Sequence, residues 1–222
     1  GYSPFIPRAD GRARPGRTEK DGTPVDDDSL VYGSLPARAV RYQQLVESFA
    51  RRYNLSTELV YAIIHSESSF STTLVSNKSA MGLMQILPDT ASGEVHKYLY
   101  GRTGDISFDE LSVPEVNIRY GTTYLHILLT RYFAGVYDPR AREYCAVAAY
   151  NMGPERVQGM RAEARRRGLN PNQWFFQVER IAMEQVGMGA VSYVNSVNKY
   201  YLAFDRERDS LEPVKPELVS RK

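Results

Sequence analysis

Between residues 36 and 205, apolar residues recur at helical spacing in one segment after another, and almost nowhere with the alternation of a strand. Pro36 opens the first segment, expected to run to about Tyr53 with Val40, Leu45, Val46 and Phe49 on one face. Ser56 is a good N-cap for a second helix, with Glu58 in its first turn. Pro88 begins a third, through Ala91, Val95 and Tyr98. Pro114 precedes a long one carrying Ile118, Tyr120, Tyr124, Leu125, Leu128, Leu129 and Tyr132. An alanine-rich helix is expected over Arg140 to Tyr150, and Pro154 starts another that ends before Gly168. Residues 171–186 and 190–205 make the last two. Short hairpin-like pieces are expected only near Tyr100 to Phe108. No heptad repeat persists, so the pattern predicts an all-α orthogonal bundle and not a coiled coil.

The two ends differ from this body. Residues 1–35 carry Pro4, Pro7, Pro15, Pro24, several glycines and mixed charge, and read as a flexible or draped arm. Residues 206–222 read as a charged tail with Pro213 and Pro216. That leaves 36–205 as one domain, long enough to bury a substantial core. A net charge of +2 is too balanced to imply nucleic acid, though it is compatible with an anionic wall polymer. Cys145 is the sole cysteine, so no disulfide closes within the chain, and its apolar neighbours mark it as a small buried residue. No apolar run approaches the roughly 18 residues of a membrane-spanning helix, and no leader segment is visible.

One carboxylate is placed unusually. Leu59, Val60, Ile63 and Ile64 form an apolar stripe on the helix from Ser56, and Glu67 continues it four residues beyond Ile63. A carboxylate on such a stripe is desolvated when ionised, which raises its pKa. A carboxyl kept protonated near neutral pH is what general-acid cleavage of a glycosidic bond requires. On spacing alone, a glutamate that simply reaches solvent at a helix end is the simpler reading.

The neighbouring motifs shift that balance. Glu67-Ser68 is followed by Phe70; Gly82-Leu83-Met84-Gln85 comes next, then Ala149-Tyr150-Asn151, and late in the chain Tyr193-Val194. In these residues the sequence resembles the lytic murein transglycosylases with a goose-lysozyme-like catalytic domain. Asn117-Ile118-Arg119-Tyr120-Gly121 and Tyr124-Leu125 are similar to the membrane-bound murein transglycosylase C type. Each motif alone is short and common; four in the family's order at similar separations are specific. The resemblance covers roughly residues 37–202. Met152 stands where the family often has glycine, and the lipid-accepting cysteine that precedes many membrane-bound members has no counterpart in this sequence.

The resemblance implies a lysozyme-like fold and a lyase acting on peptidoglycan glycan strands. Glu67 then matches the family's single acid and base. Ser76, Gln85, Tyr150 and Tyr193 match its substrate-binding cleft, and Met84, Leu87 and Asn151, which stand in or beside the same motifs, are expected to bind substrate with them. It implies cleavage of the bond between N-acetylmuramic acid and N-acetylglucosamine, with the sugar's own C6 hydroxyl closing a 1,6-anhydro ring. Asp89 and Glu94, just beyond Gln85, read better as charges favoured at a helix start than as a second catalytic carboxylate. It also implies a periplasmic site of action, with outer-membrane association through a lipid anchor outside this chain. Two alternatives stay open: a goose-type lysozyme that admits water, and a non-catalytic glycan-binding scaffold.

No cofactor and no metal are expected, since His65, His96 and His126 lack ligand spacing. Arg161, Arg165, Arg166 and Arg167 with Glu163 read as a solvated helix face. Trp174-Phe175-Phe176 reads as core more than as a carbohydrate platform.

Overall fold

The structure, a computed structural model, describes residues 37–211. Its helices are α1 (Ala37–Val40), α2 (Gln43–Arg52), α3 (Thr57–Ser68), α4 (Ala91–Tyr100), α5 (Phe108–Leu111), α6 (Pro114–Ile127), α7 (Pro139–Met152), α8 (Pro154–Arg166), α9 (Glu179–Gln185) and α10 (Met188–Leu211). The expected arm at 1–35 lies outside the described residues, as does 212–222 of the expected tail. The last helix runs to Leu211, past the residue 205 at which the sequence pattern places its end.

The organising element is α3. Ser56 caps it as its sequence predicts, its Oγ accepting from the Leu59 amide at 3.3 Å. Every residue from Leu59 to His65 is buried, so α3 is enclosed on all sides and not merely along one stripe. α10 packs along it in the opposite direction. The pairing is read from side chains: Tyr61 meets Phe204 with ring centroids 5.4 Å apart. His65 stacks on Tyr200 at 3.8 Å, and the hydroxyls of Ser66 and Ser196 are 3.1 Å apart. α7 runs in the same sense as α3: Leu59 near the start of α3 shares a small pocket with Glu143, Tyr144 and Val147 of α7 and with Val197, Asn198 and Tyr201 of α10, while Tyr150 further along α7 stands near Glu67 at the end of α3. The three helices therefore gather the C-terminal ends of α3 and α7 beside the start of α10. Cys145, Ala146, Val147, Ala148 and Ala149 of α7 are all buried. Their small side chains let the surrounding helices approach closely.

Several elements differ from the sequence pattern, each for a local reason. The helix expected from Pro36 to Tyr53 breaks at Arg41 and Tyr42. The tighter turn there, Tyr42 N–H to Ala39 at 3.1 Å, brings the Tyr42 ring parallel to Phe70 and leaves Val40 exposed. The helix expected from Pro88 begins only at Ala91; Pro88 and its successors form a turn whose carbonyl accepts from the Ser92 hydroxyl. No hairpin forms at Tyr100–Phe108: Gly101 ends α4 at φ +72 and Ser107 caps α5. Bridged backbone pairs occur instead at Val75–Met81 and Met81–Ile86.

Over 171–186 the α-helix starts only at Glu179, after a π-helical turn at Trp174–Val178 in which Phe175 and Phe176 leave helical backbone angles. Trp174 is buried, Phe175 turns to meet Tyr144 edge-on at 4.8 Å, and Phe176 sits at φ +64 with its ring partly exposed. Three successive aromatic residues cannot all reach the core from one helix face, so the backbone gives way. The long helix from Pro114 widens into a π-helical turn at Leu128–Tyr132, which keeps Leu128 in the core. Arg161 is not on a solvated face. It donates to the Pro171 carbonyl at 3.0 Å and to Asn172 at 2.9 Å, pinning the loop after α8. Arg166 and Arg167 do lie outside, paired with Glu163.

Candidate active site

Glu67 occupies the last turn of α3. Ser69 follows in the left-handed region at φ +49, its N–H closing on the His65 carbonyl at 3.0 Å, and Phe70 repeats the conformation at φ +64. Two successive left-handed residues turn the chain sharply. The Phe70 ring is the anchor that holds this turn, buried against Tyr42, Tyr61 and His65. Glu67 thus projects from a rigid helix end instead of a frayed one.

Its carboxyl is half-buried, and burial pushes its pKa from the ordinary 4.5 up to about 7; the Tyr193 hydroxyl, facing it from α10, opposes the rise. That hydroxyl is itself buried and satisfies no fully aligned hydrogen bond, so its interaction with the carboxyl is a loose one. The negative end of the α3 dipole also disfavours the ionised form. Tyr150, from the end of α7, stands close enough to Glu67 for the carboxylate charge to raise its own pKa further above normal. Glu67, Tyr150 and Tyr193 therefore converge from three helices.

The floor beside them is the segment Met81–Ile86. The Ser68 hydroxyl donates to the Leu83 carbonyl at 2.7 Å, and the Tyr150 hydroxyl donates to the Met84 carbonyl at 2.6 Å. The Gln85 amide donates to the carbonyls of Leu74 at 2.8 Å and Gly82 at 3.0 Å. Ser76 Oγ accepts from the amides of Lys78 at 3.2 Å and Ala80 at 3.1 Å. Ser76 and Gln85, expected to face a ligand, thus spend part of their hydrogen bonding on the loop itself; the Ser76 hydroxyl proton and the Gln85 carbonyl oxygen remain to offer. Met84 departs from its expected place. Its side chain has no exposed surface, because Gly121 leaves a gap that it fills, so only its backbone takes part in the site. Leu87 is half-buried and Asn151 exposed, both with surface to present. Met152 packs against the core, and the left-handed turn falls to Gly153 at φ +91.

Three contributors carried no role in the sequence reading. Ser68 ties α3 to the loop, and Tyr124 supports Tyr150 with ring centroids 5.5 Å apart. Asn117 is the third. Tyr124 stands at helical spacing from Asn117 and Gly121. Glu94 accepts from the Tyr132 hydroxyl at 2.8 Å, and it is not among the groups that shift Glu67. Among the described residues, no group of three or more His, Cys, Asp or Glu is placed to hold a metal ion.

An orthogonal helical body that holds one half-buried, proton-retaining carboxyl beneath two tyrosines is a lysozyme-like domain. Within that class, the chain belongs to the family described as the Transglycosylase SLT domain, whose profile matches residues 44–173. That stretch contains Glu67, Gln85 and Tyr150 but stops before Tyr193.

Among curated relatives, the membrane-bound lytic murein transglycosylase C of Mannheimia succiniciproducens is 39% identical over 124 residues, covering 56% of this chain and 34% of that protein. The protein of the same name from Yersinia pestis (strain Pestoides F) is 41% identical over the same length and shares. The chain thus matches about a third of these relatives' length. Among solved structures, an inactive Glu-to-Gln mutant of the lytic transglycosylase Slt from Pseudomonas aeruginosa aligns with a TM-score of 0.58 at 25% identity, covering 78% of this chain and 25% of that one. The 70 kDa soluble lytic transglycosylase of Escherichia coli aligns at 0.56 and 26% identity, covering 74% and 24%.

Proposed function

We propose that residues 36–205 form a catalytic domain that cleaves the β-1,4 bond between N-acetylmuramic acid and N-acetylglucosamine in peptidoglycan, leaving 1,6-anhydro-N-acetylmuramic acid ends. The observation that carries this reading is Glu67: a carboxyl held at about 7 by burial is present in both protonation states near neutral pH. A single group can then act first as acid and afterwards as base. Protonated Glu67 gives its proton to the bridging oxygen as the C1–O bond breaks. The cationic centre at C1 is stabilised by the substrate's own acetamido group. The C6 hydroxyl oxygen then bonds to C1, and its proton returns to Glu67. No water is consumed. Tethering favours the C6 hydroxyl over a free nucleophile by up to about 7–11 kcal/mol when the geometry is right.

Family membership supports this reading, as do the relatives named lytic murein transglycosylases and the inactive Glu-to-Gln form of the structurally similar lytic transglycosylase Slt. Tyr150 and Tyr193 shield part of the carboxyl from water, and Ser76, Gln85, Leu87 and Asn151 line the path of the glycan. On this reading the domain works in the periplasm on glycan strands, with an anchor outside this chain tying it to the outer membrane. Among the described residues, no helix is long and apolar enough to cross a membrane.

Digestion of purified peptidoglycan in heavy-oxygen water tests the chemistry by mass spectrometry. The expected products end in unlabelled anhydro-muramic acid, lighter by one water than hydrolysed ends. Reducing muramic ends carrying heavy oxygen would make the protein a goose-type lysozyme. Binding of glycan without any released fragment would make it a scaffold.

A further inference from the structure

One face of α6 is built around the segment Met81–Ile86, although α6 supplies none of the three groups at the carboxyl. Asn117, buried in the core, accepts from the Met84 amide at 2.7 Å through Oδ1. Its Nδ2 donates to the carbonyls of Met81 and Leu111, each at 2.8 Å. The peptide unit joining Leu83 to Met84 is therefore gripped at both ends: Asn117 takes its N–H, and Ser68, next to Glu67, takes its C=O. The next carbonyl, that of Met84, is the one that receives Tyr150.

The fit is close enough to account for two glycines. Gly82 sits at φ +80, and a Cβ there would overlap Asn117 Nδ2 and stand 2.9 Å from the Leu111 carbonyl oxygen. Gly121, one turn beyond Asn117 on the same face, is where the Met84 side chain packs; a Cβ there would stand 2.7 Å from Met84 Cβ and Cε. Tyr124, a further turn on, carries the Tyr150 ring. We propose that Asn117 is a positioning residue for the reaction: through one clamped peptide unit it fixes the Met84 carbonyl, and through that carbonyl the Tyr150 hydroxyl beside Glu67. The inference rests on the proposed function only for its kinetic consequence.

Two measurements on the full chain test it. The titratable groups facing Glu67 are Tyr193 of α10 and Tyr150 of α7. Asn117→Ala should loosen the floor under Tyr150 and admit water. The carboxyl of Glu67, followed by carbon-detected NMR of labelled glutamate, should then titrate at lower pH than in the wild type. On peptidoglycan strands kcat should fall on the order of 10²-fold with KM nearly unchanged, since a displacement of about 1 Å costs that much. Val157→Ala, in the buried face of α8, serves as a control of comparable destabilisation and should alter neither readout at temperatures where it is folded. Where Asn117→Ala does not fold, Asn117→Ser, which leaves room for a bridging water, takes its place. An Asn117 variant with wild-type kcat and an unmoved Glu67 titration overturns the proposal, as do losses matched by Val157→Ala. If the wild type itself releases no fragments, the proposed function fails, and the titration alone then decides the role of Asn117.

Discussion

Glu67→Gln should make the protein more stable above neutral pH while removing its activity. In the folded protein the carboxyl holds its proton up to about 7, whereas in the unfolded chain it ionises near 4.5. Between those values the folded state binds more protons than the unfolded state, so wild-type stability falls as pH rises through the window. Above it, the folded protein carries an ionised carboxylate in a site that resists charge. At about 1.36 kcal/mol for each tenfold change in proton affinity, the accumulated cost reaches about 3 kcal/mol. Glu67 is half-buried, so some water reaches it and this figure is an upper bound. Glutamine has the same shape and no charge to desolvate. The stability difference between variant and wild type should be smallest below pH 4.5, grow between pH 4.5 and 7, and level off above that. For a chain of this size the full effect corresponds to roughly 6–12 °C in melting temperature. Paired urea or thermal unfolding across that pH range measures it, and glycan release by the same samples should fall by about 10²–10⁴-fold. A difference that stays flat with pH, or one that favours the wild type at high pH, would refute the account of Glu67 as a destabilised carboxylate.

Tyr193→Phe removes the one polar neighbour that lowers the Glu67 pKa, so the carboxyl should titrate higher and the alkaline limb of the activity profile should move up, by at most about one pH unit given the loose contact; a downward move contradicts the assignment. Tyr150→Phe loses the 2.6 Å bond to the Met84 carbonyl, which should cost about 1 kcal/mol in denaturant unfolding and lower kcat more than it raises KM. Equal kinetics in that variant would reduce Tyr150 to packing. Gly121→Ala drives a methyl group into Met84 and should destabilise by about 1–3 kcal/mol; a neutral unfolding curve would show that the loop floor yields easily.

Much of the fold was legible because helical periodicity and end signals agree along the body of the chain. Ser56, Pro114, Pro154 and Gly168 mark ends that the structure keeps within a residue or two. Legibility failed where tertiary contacts override local pattern. Tyr42 leaves its helix to reach Phe70, and Trp174, Phe175 and Phe176 split toward three surroundings. Neither destination is written within a few residues of its origin. Glu67 was legible only in part: its own helix puts it at the end of an apolar stripe, but that spacing also suits a glutamate that reaches solvent, and it was the neighbouring motifs that singled it out.

The apparatus around that carboxyl was less visible, because the partners that matter are backbone groups. Met84 and Gln85 were both expected to meet substrate through their side chains. The structure uses the Met84 carbonyl and both Gln85 amide protons to hold the loop. A side-chain reading cannot see a carbonyl, since every residue has one. What the sequence does carry is the exclusion that such backbone contacts impose: a glycine wherever another group must come close. Gly82 and Gly121 are those marks, 39 positions apart in the sequence, and Asn117 is the polar residue whose one-turn spacing from Gly121 joins them. An asparagine and a glycine four apart on an otherwise apolar helix face, with a second glycine in a distant loop, therefore signals a clamped loop. It says where a loop is held without saying what is held above it.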